Sequence, residues 1–203
     1  MRIVLATRVY PTHRPGGMPH VVQDRAEALA ALGHEVHVLT TSHAKYGVLE
    51  GDVTVHHLNA KSLEYSEAFA RECTETCKRL CPEIIHHDSL DVNRLWWADK
   101  PGGARRTAVT LHGFGPGAFL TEWNLFRCGR GPAPKFDAAG MLKEANALKQ
   151  ADVVIGVSEC ELAYMENWYG LTRAICVYNP IPEYFFEDTT DPPQDGPFLC
   201  SAI

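Results

Sequence analysis

The sequence predicts an α/β protein, an open parallel sheet with helices on both faces. Three observations carry that expectation. Short apolar runs alternate with amphipathic stretches of helical period along the chain, the pattern that builds a parallel sheet. The runs, such as RIVLA at 2–6 and DVVIGV at 152–157, lack a clean period of two, as strands covered on both faces do. The first 40 residues read strand, loop, helix, strand, the length of one βαβ unit.

Each element has a local reason. Residues 2–6 are short, β-branched and apolar, and predict a buried strand. Residues 19–32 predict a helix: Pro19 suits the first turn, Val22, Ala26, Leu29 and Leu32 form one stripe, and Gly33 stands where a C-terminal cap belongs. Strands follow at 35–40 and 53–58. Residues 64–81 predict a helix with Phe69, Cys73, Cys77, Leu80 and Cys81 on one face, and 83–88 and 106–111 are strands flanking a short helix at DVNRLWWA. A helix over 136–150 carries Met141, Ala145 and Leu148 on one side. After the strand at 152–157, Ser158 and Glu161 have capping-box spacing ahead of Leu162, Met165 and Tyr169, with Gly170 at the end. RAICVY at 173–178 closes the series.

Composition narrows the function. Lys and Arg number 19 against 25 Asp and Glu, a net charge of −6. That is the wrong sign for a general nucleic-acid binder. No apolar run approaches the ~20 residues that span a bilayer, and MRIVLATRVYP is broken by Arg8 where a signal peptide stays apolar. The expected location is cytoplasmic, so the seven cysteines are expected as thiols. Cys73, Cys77 and Cys81 are expected as small core hydrophobes. A metal site would need a fourth ligand, with His86 and His87 nearest in sequence on a strand. The paired histidines His56–His57 and His86–His87 are expected to alternate across their strands, one in and one out.

Beyond residue 186 the chain changes character. Residues 187–196 are acidic and proline-rich and read as a linker after a domain of 1–186. Residues 197–203, PFLCSAI, read either as the first strand of a further domain or as an added edge strand on the first sheet.

In open parallel sheets ligands gather beyond the carboxyl ends of the strands, where strand order reverses. Four segments fall there: the loop from Arg8 to Met18, LHGFGPG at 111–117, the turn at Ser158, and YNPIP at 178–182. Gly16 and Gly17 let backbone N–H groups approach an anion at a helix N-terminus, or they make a tight turn. His13 and Arg14 flank them. His112 follows a buried strand and precedes Gly113, so it faces the crevice as a donor to a sugar hydroxyl, or it caps the strand end. The loop from Phe114 is long and aromatic, as lids are. Phe114, Glu122, His13 and Arg14 are candidate acceptor contacts, with Arg127 and Arg130 beside them. There is no G-x-G-x-x-G fingerprint, no Walker lysine, no H-E-x-x-H and no G-x-S-x-G elbow, which disfavours a dinucleotide enzyme and a serine hydrolase.

Together these motifs resemble a known family. MRIVLATRVYPTHRPGGMPHVVQDRAEALAALGHEVHVLTT resembles the opening of family 4-type glycosyltransferases of the GT-B fold. TLHGF resembles their strand-then-histidine, and QADVVIGVSECELAYMENWYG with VYNPIP resembles their "AD.VI.VS" and "V.PNG" series, with VYNPIP departing from the usual Asn-Gly turn. The resemblance implies a Rossmann-like, acceptor-side, N-terminal half of a GT-B enzyme that moves a sugar from a nucleotide-sugar donor to an acceptor, with retention and without a metal or other cofactor. It implies that Gly16 and Gly17 approach the donor diphosphate and that His112 is the catalytic-site contact to the donor sugar. It further implies a C-terminal domain, in cis or in trans, supplying an Arg/Lys pair and paired glutamates. PFLCSAI resembles that domain's first strand, so these 203 residues alone are expected to be inactive. The alternative is a non-catalytic ligand-binding or partner-completed Rossmann-like module.

Overall fold

A computed structural model describes residues 1–7, 10, 17–41, 52–58, 67–88, 99–112, 124, 126–130, 133 and 138–180, with only the backbone of residues 17, 18, 140, 141 and 143. The expected linker at 187–196, the segment 197–203, the helix at DVNRLWWA and most of the loop from 113 lie outside the described residues.

Seven strands form one parallel sheet. In chain order they are β1 (Arg2–Thr7), β2 (Glu35–Thr41), β3 (Val53–Leu58), β4 (Ile84–Asp88), β5 (Arg106–Leu111), β6 (Val153–Gly156) and β7 (Ala174–Cys176). Between them run α1 (Gly17–Ala31), α2 (Glu67–Leu80), α3 (Ala138–Leu148) and α4 (Glu159–Tyr169), with a 3₁₀ turn at Pro101–Gly103. The spatial order is β3-β2-β1-β4-β5-β6-β7, and every pairing is parallel. The chain steps outward from β1 to β3, returns to lay β4 beside β1, then steps outward the other way. Strand order therefore reverses between β1 and β4. This is the expected Rossmann-like architecture.

The period of two in each strand separates two cores. Ile3 and Leu5 of β1 join Val36 and Val38 of β2, and Val22 and Ala26 of α1, on one face. Val4 and Ala6 join Ile85, Val109 and Leu111 on the other, against Phe69, Cys73 and Cys77 of α2 and Leu148, Met165 and Tyr169 of α3 and α4. Helices thus cover both faces, which is why the strand sequences read as almost continuously apolar.

The element ends show where local chemistry overrides pattern. Gly33, with φ of 82°, closes α1 in a Schellman motif. Its N–H bonds the Ala30 carbonyl at 2.8 Å and His34 N–H bonds that of Leu29 at 3.2 Å. Leu32, expected on the buried stripe, lies past the last turn and is 74% exposed. The cysteine stripe also breaks. Cys73 and Cys77 are buried but Cys81 is exposed, because Pro82 disfavours right-handed helical geometry at the residue before it and Cys81 adopts a φ of 48°. Burial raises the Cys73 and Cys77 thiols, that of Cys77 to about 12, so both behave as core hydrophobes. Asp152, expected in β6, instead staples the amino edges of β5 and β6. Its carboxylate accepts from Thr107 N–H at 2.8 Å and Thr107 Oγ1 at 3.0 Å, and pairs with Lys100 Nζ at 2.9 Å. The last strand is shorter than RAICVY, since beyond the Val177 N–H bond to Gly156 the edge meets Pro180, which has no N–H to give.

Ser158 caps α4 as expected: its Oγ accepts the Glu161 N–H at 3.2 Å. Glu161 Oε2 reaches back one residue further than the standard box, to the Val157 N–H at 2.9 Å. Replacing Ser158 by alanine removes one cap partner, and urea unfolding is expected to show a loss of about 1 kcal/mol. No helix among the described residues is long and apolar enough to cross a membrane.

Candidate functional site

The carboxyl ends of β1, β4 and β5 meet at the reversal point, and a polar cluster occupies it. Register pairs Thr7 of β1 with Asp88 of β4, and Asp88 with Thr110 of β5. Residues 86 and 88 point to the α1 face, residue 87 to the other. His112 follows β5 by one residue and returns to the α1 face with Thr110. The expected alternation of His86 and His87 holds in direction, but neither ring faces out: both are buried, because helices cover both faces of the sheet.

Asp88 is the centre of the cluster and is wholly buried. Arg25 Nη1 reaches both its oxygens, at 2.6 and 2.7 Å. His112 Nε2 lies 3.0 Å from Asp88 Oδ1. His86 Nε2 sits 2.7 Å from Thr110 Oγ1, 3.4 Å from Arg25 Nη1 and 3.9 Å from Asp88 Oδ2. Burial is the strongest influence on Asp88 and opposes its charge. His86, the His112 hydrogen bond and the Arg25 guanidinium nevertheless hold the carboxyl well below the usual carboxylate range. Burial pushes His86 down to about 4, with Arg25 and His112 reinforcing and Asp88 opposing. His86 is therefore neutral near pH 7. Its Nε2 lies within hydrogen-bond distance of the Thr110 hydroxyl, and Arg25 spans both oxygens of Asp88.

Arg25 and Asp88 were not among the residues expected at the site. The signal was present at both ends. Val22, Arg25, Ala26 and Leu29 have the spacing of a single helical face, so an arginine stands inside an apolar stripe and must meet a buried anion there. Asp88 is an acid at the carboxyl end of a strand that opens on two isoleucines.

Of the expected site residues, His112 is at the reversal point, with its side chain 9% exposed. Gly17 is the first residue of α1, so its backbone opens the helix two turns before Arg25, about 12 Å along the axis. The segment entering α1 leaves from β1, and the segment holding His112 leaves from β5, so both emerge at the same edge of the sheet. Gly16, His13, Arg14, Phe114 and Glu122 lie outside the described residues. Arg127 and Arg130 are exposed. At YNPIP, Tyr178, Asn179 and Pro180 are exposed beyond β7.

Other polar features lie away from this edge. His37 Nδ1 and His56 Nε2 approach to 3.1 Å, and His37 Nε2 lies 3.1 Å from Glu35 at the opposite end of β2. A pocket of about 350 Å³ lined by Leu148, Lys149, Leu171 and Arg173 also faces the amino ends of the strands. Among the described residues no group of three or more His, Cys, Asp or Glu side chains is arranged to hold a metal.

Comparison with known proteins bears on the family and the fold. The family model described as Glycosyltransferase Family 4 matches residues 15–183. Sucrose-phosphate synthase from Thermosynechococcus elongatus superposes with a TM-score of 0.68 at 19% identity, over 87% of this chain and 47% of that one. The catalytic domain of starch synthase IV from Arabidopsis thaliana, bound to ADP and acarbose, gives 0.59 at 16% identity, over 94% and 54%. A glycosyltransferase from Rickettsia africae gives 0.57 at 14% identity, over 94% and 46%. The likeness is one of fold, GT-B, and the chain spans about half the length of these three structures. No curated protein sequence matches the chain.

Proposed function

Because the chain belongs to glycosyltransferase family 4, we propose that it forms the acceptor-side half of an enzyme that moves a sugar from a nucleotide-sugar donor to an acceptor, with retention. One observation supports this most. His112 is fixed at the point of strand reversal, on the same sheet edge as the opening of α1, by a buried carboxylate. A donor lying across that edge would set its diphosphate towards the backbone N–H groups at Gly16 and Gly17, where the helix end favours negative charge. Its sugar would reach His112. His13, Arg14, Phe114 and Glu122 stand on the segments that would face the acceptor.

The reaction builds negative charge on the departing diphosphate, and catalysis needs donors placed where that charge develops. Backbone N–H groups at one helix end supply part of it. In this reading a second domain, in cis or in trans, supplies the cations, and neither a metal nor another cofactor takes part.

The test uses the protein together with its second domain. A panel of nucleotide sugars screened by thermal shift identifies the donor. His112→Ala is then expected to lower kcat/KM for transfer at least about tenfold, the effect of one lost hydrogen bond of about 1.4 kcal/mol. Transfer at the wild-type rate removes His112 from the site. Donor binding with no transfer to any acceptor would give instead the non-catalytic, partner-completed module.

A further inference from the structure

We propose that Asp88 is a positioning residue for His112, holding the imidazole as the Nε2–H tautomer so that Nδ1 serves as a hydrogen-bond acceptor for a substrate hydroxyl. An ionised carboxylate accepts hydrogen bonds and donates none. Asp88 is kept ionised by its surroundings, so the hydrogen between Asp88 Oδ1 and His112 Nε2, 3.0 Å apart, belongs to the histidine. A neutral imidazole carries one N–H. With that N–H committed inward, Nδ1 holds a lone pair. The sequence alone offers a histidine that donates to a sugar hydroxyl or caps the strand end; with Nε2–H turned to Asp88, the outward nitrogen is Nδ1, an acceptor in the neutral ring.

Asp88 is suited to this role because it has no freedom to turn. It is wholly buried at the end of a central strand, and Arg25 from α1 spans both its oxygens. Arg25 offers only donors, so it fixes Asp88 without competing for the acceptor role. His86, neutral and engaged with Thr110, fills the space beside the pair without contributing a second charge. The arrangement resembles the use of a buried carboxylate to set tautomer and orientation in other enzymes.

The tautomer is a property of the chain itself, and only the identity of the hydroxyl rests on the sugar-contact reading. The experiment is long-range ¹H–¹⁵N correlation on labelled protein near neutral pH, with the His112 signals assigned by their loss in His112→Gln. Wild type is expected to show a pyrrole-type Nε2 and a pyridine-type Nδ1. In Asp88→Asn the amide oxygen should turn to Arg25 and the NH₂ to His112, forcing Nε2 to accept and inverting the two nitrogens. A wild-type ring protonated on Nδ1, or an Asp88→Asn ring with its tautomer unchanged, overturns the proposal. If Asp88→Asn does not fold, the wild-type spectrum alone decides. In transfer assays on the two-domain protein, Asp88→Asn should lose about as much kcat/KM as His112→Ala, about tenfold, and the double variant no more. The expected tautomers with full transfer in His112→Ala would leave the positioning intact and remove only the sugar contact.

Discussion

Replacing Arg25 by methionine is expected to destabilise the fold by about 3–5 kcal/mol at pH 7, because it strands a buried carboxylate. Methionine keeps much of the stem that packs beside Val22 and Ala26 on the α1 stripe, so the loss isolates the guanidinium. Asp88 is fully buried, and Arg25, with its side chain 19% exposed, reaches both of its oxygens. The pair is not a surface ion pair of negligible worth. Nor is it strong evidence of net stabilisation, since both charges are desolvated. What is costly is breaking one side. Two signatures separate this from lost packing. In Arg25→Met the carboxyl of Asp88, or the neighbouring ring of His86, escapes by taking up a proton, so the deficit relative to wild type should shrink as the pH falls from 7 to 5. In Arg25→Met/Asp88→Asn the buried charge is gone and most of the loss should return. Urea unfolding of the wild type and the two variants at pH 7 and pH 5 measures both. A deficit of equal size at the two pH values, unrelieved in the double variant, would assign the effect to packing.

The same pair shows what a sequence conveys and what it withholds. Among the described residues, the seven strands and four helices were legible because burial on both faces leaves largely apolar runs, while the helices keep a 3.6-residue stripe. Ser158 and Gly170 were legible because caps act through neighbours three or four residues away. His112 was legible as a lone polar residue at a strand end. Its partnership with Asp88 and Arg25 was not, since those contacts span 24 and 63 residues and exist only once β4 has been laid between β1 and β5. Misjudged ends have a similar origin. Leu32 has the right period but lies past the turn that Gly33 closes, and Cys81 continues a stripe that Pro82 prevents from continuing as a helix. Asp152 looks like the first residue of a strand and acts as a staple, because Thr107 and Lys100 reach it from elements far away in the chain.

Acid is expected to unfold this protein well before its carboxylates titrate. His86 and His87 are adjacent on β4, face opposite cores, and are both buried. Burial pushes each ring from 6.5 down to about 4; for His87 the Asp88 charge opposes this and His86 reinforces it. Unfolding returns both rings to ordinary behaviour, so between pH 6.5 and pH 4 the unfolded chain binds about two protons that the native chain does not. The native state has its full stability above pH 6.5 and loses it as the pH falls through the window, by roughly 3 kcal/mol for each ring. Near pH 5 the slope should approach about 2.7 kcal/mol per pH unit, a large fraction of the total for a domain of ordinary stability. Asp88 contributes in the same direction only below its ordinary value of 3.8, because its carboxyl is depressed in the fold. Denaturant titrations from pH 7.5 to 4.5 read the slope. His87→Phe fills the α2-side core without touching the Arg25–Asp88–His112 cluster and should lower the slope by about one proton. A free energy of unfolding that stays level between pH 7 and pH 5 would mean that water or an alternative partner reaches these rings, and that β4 is not the dry centre of the sheet.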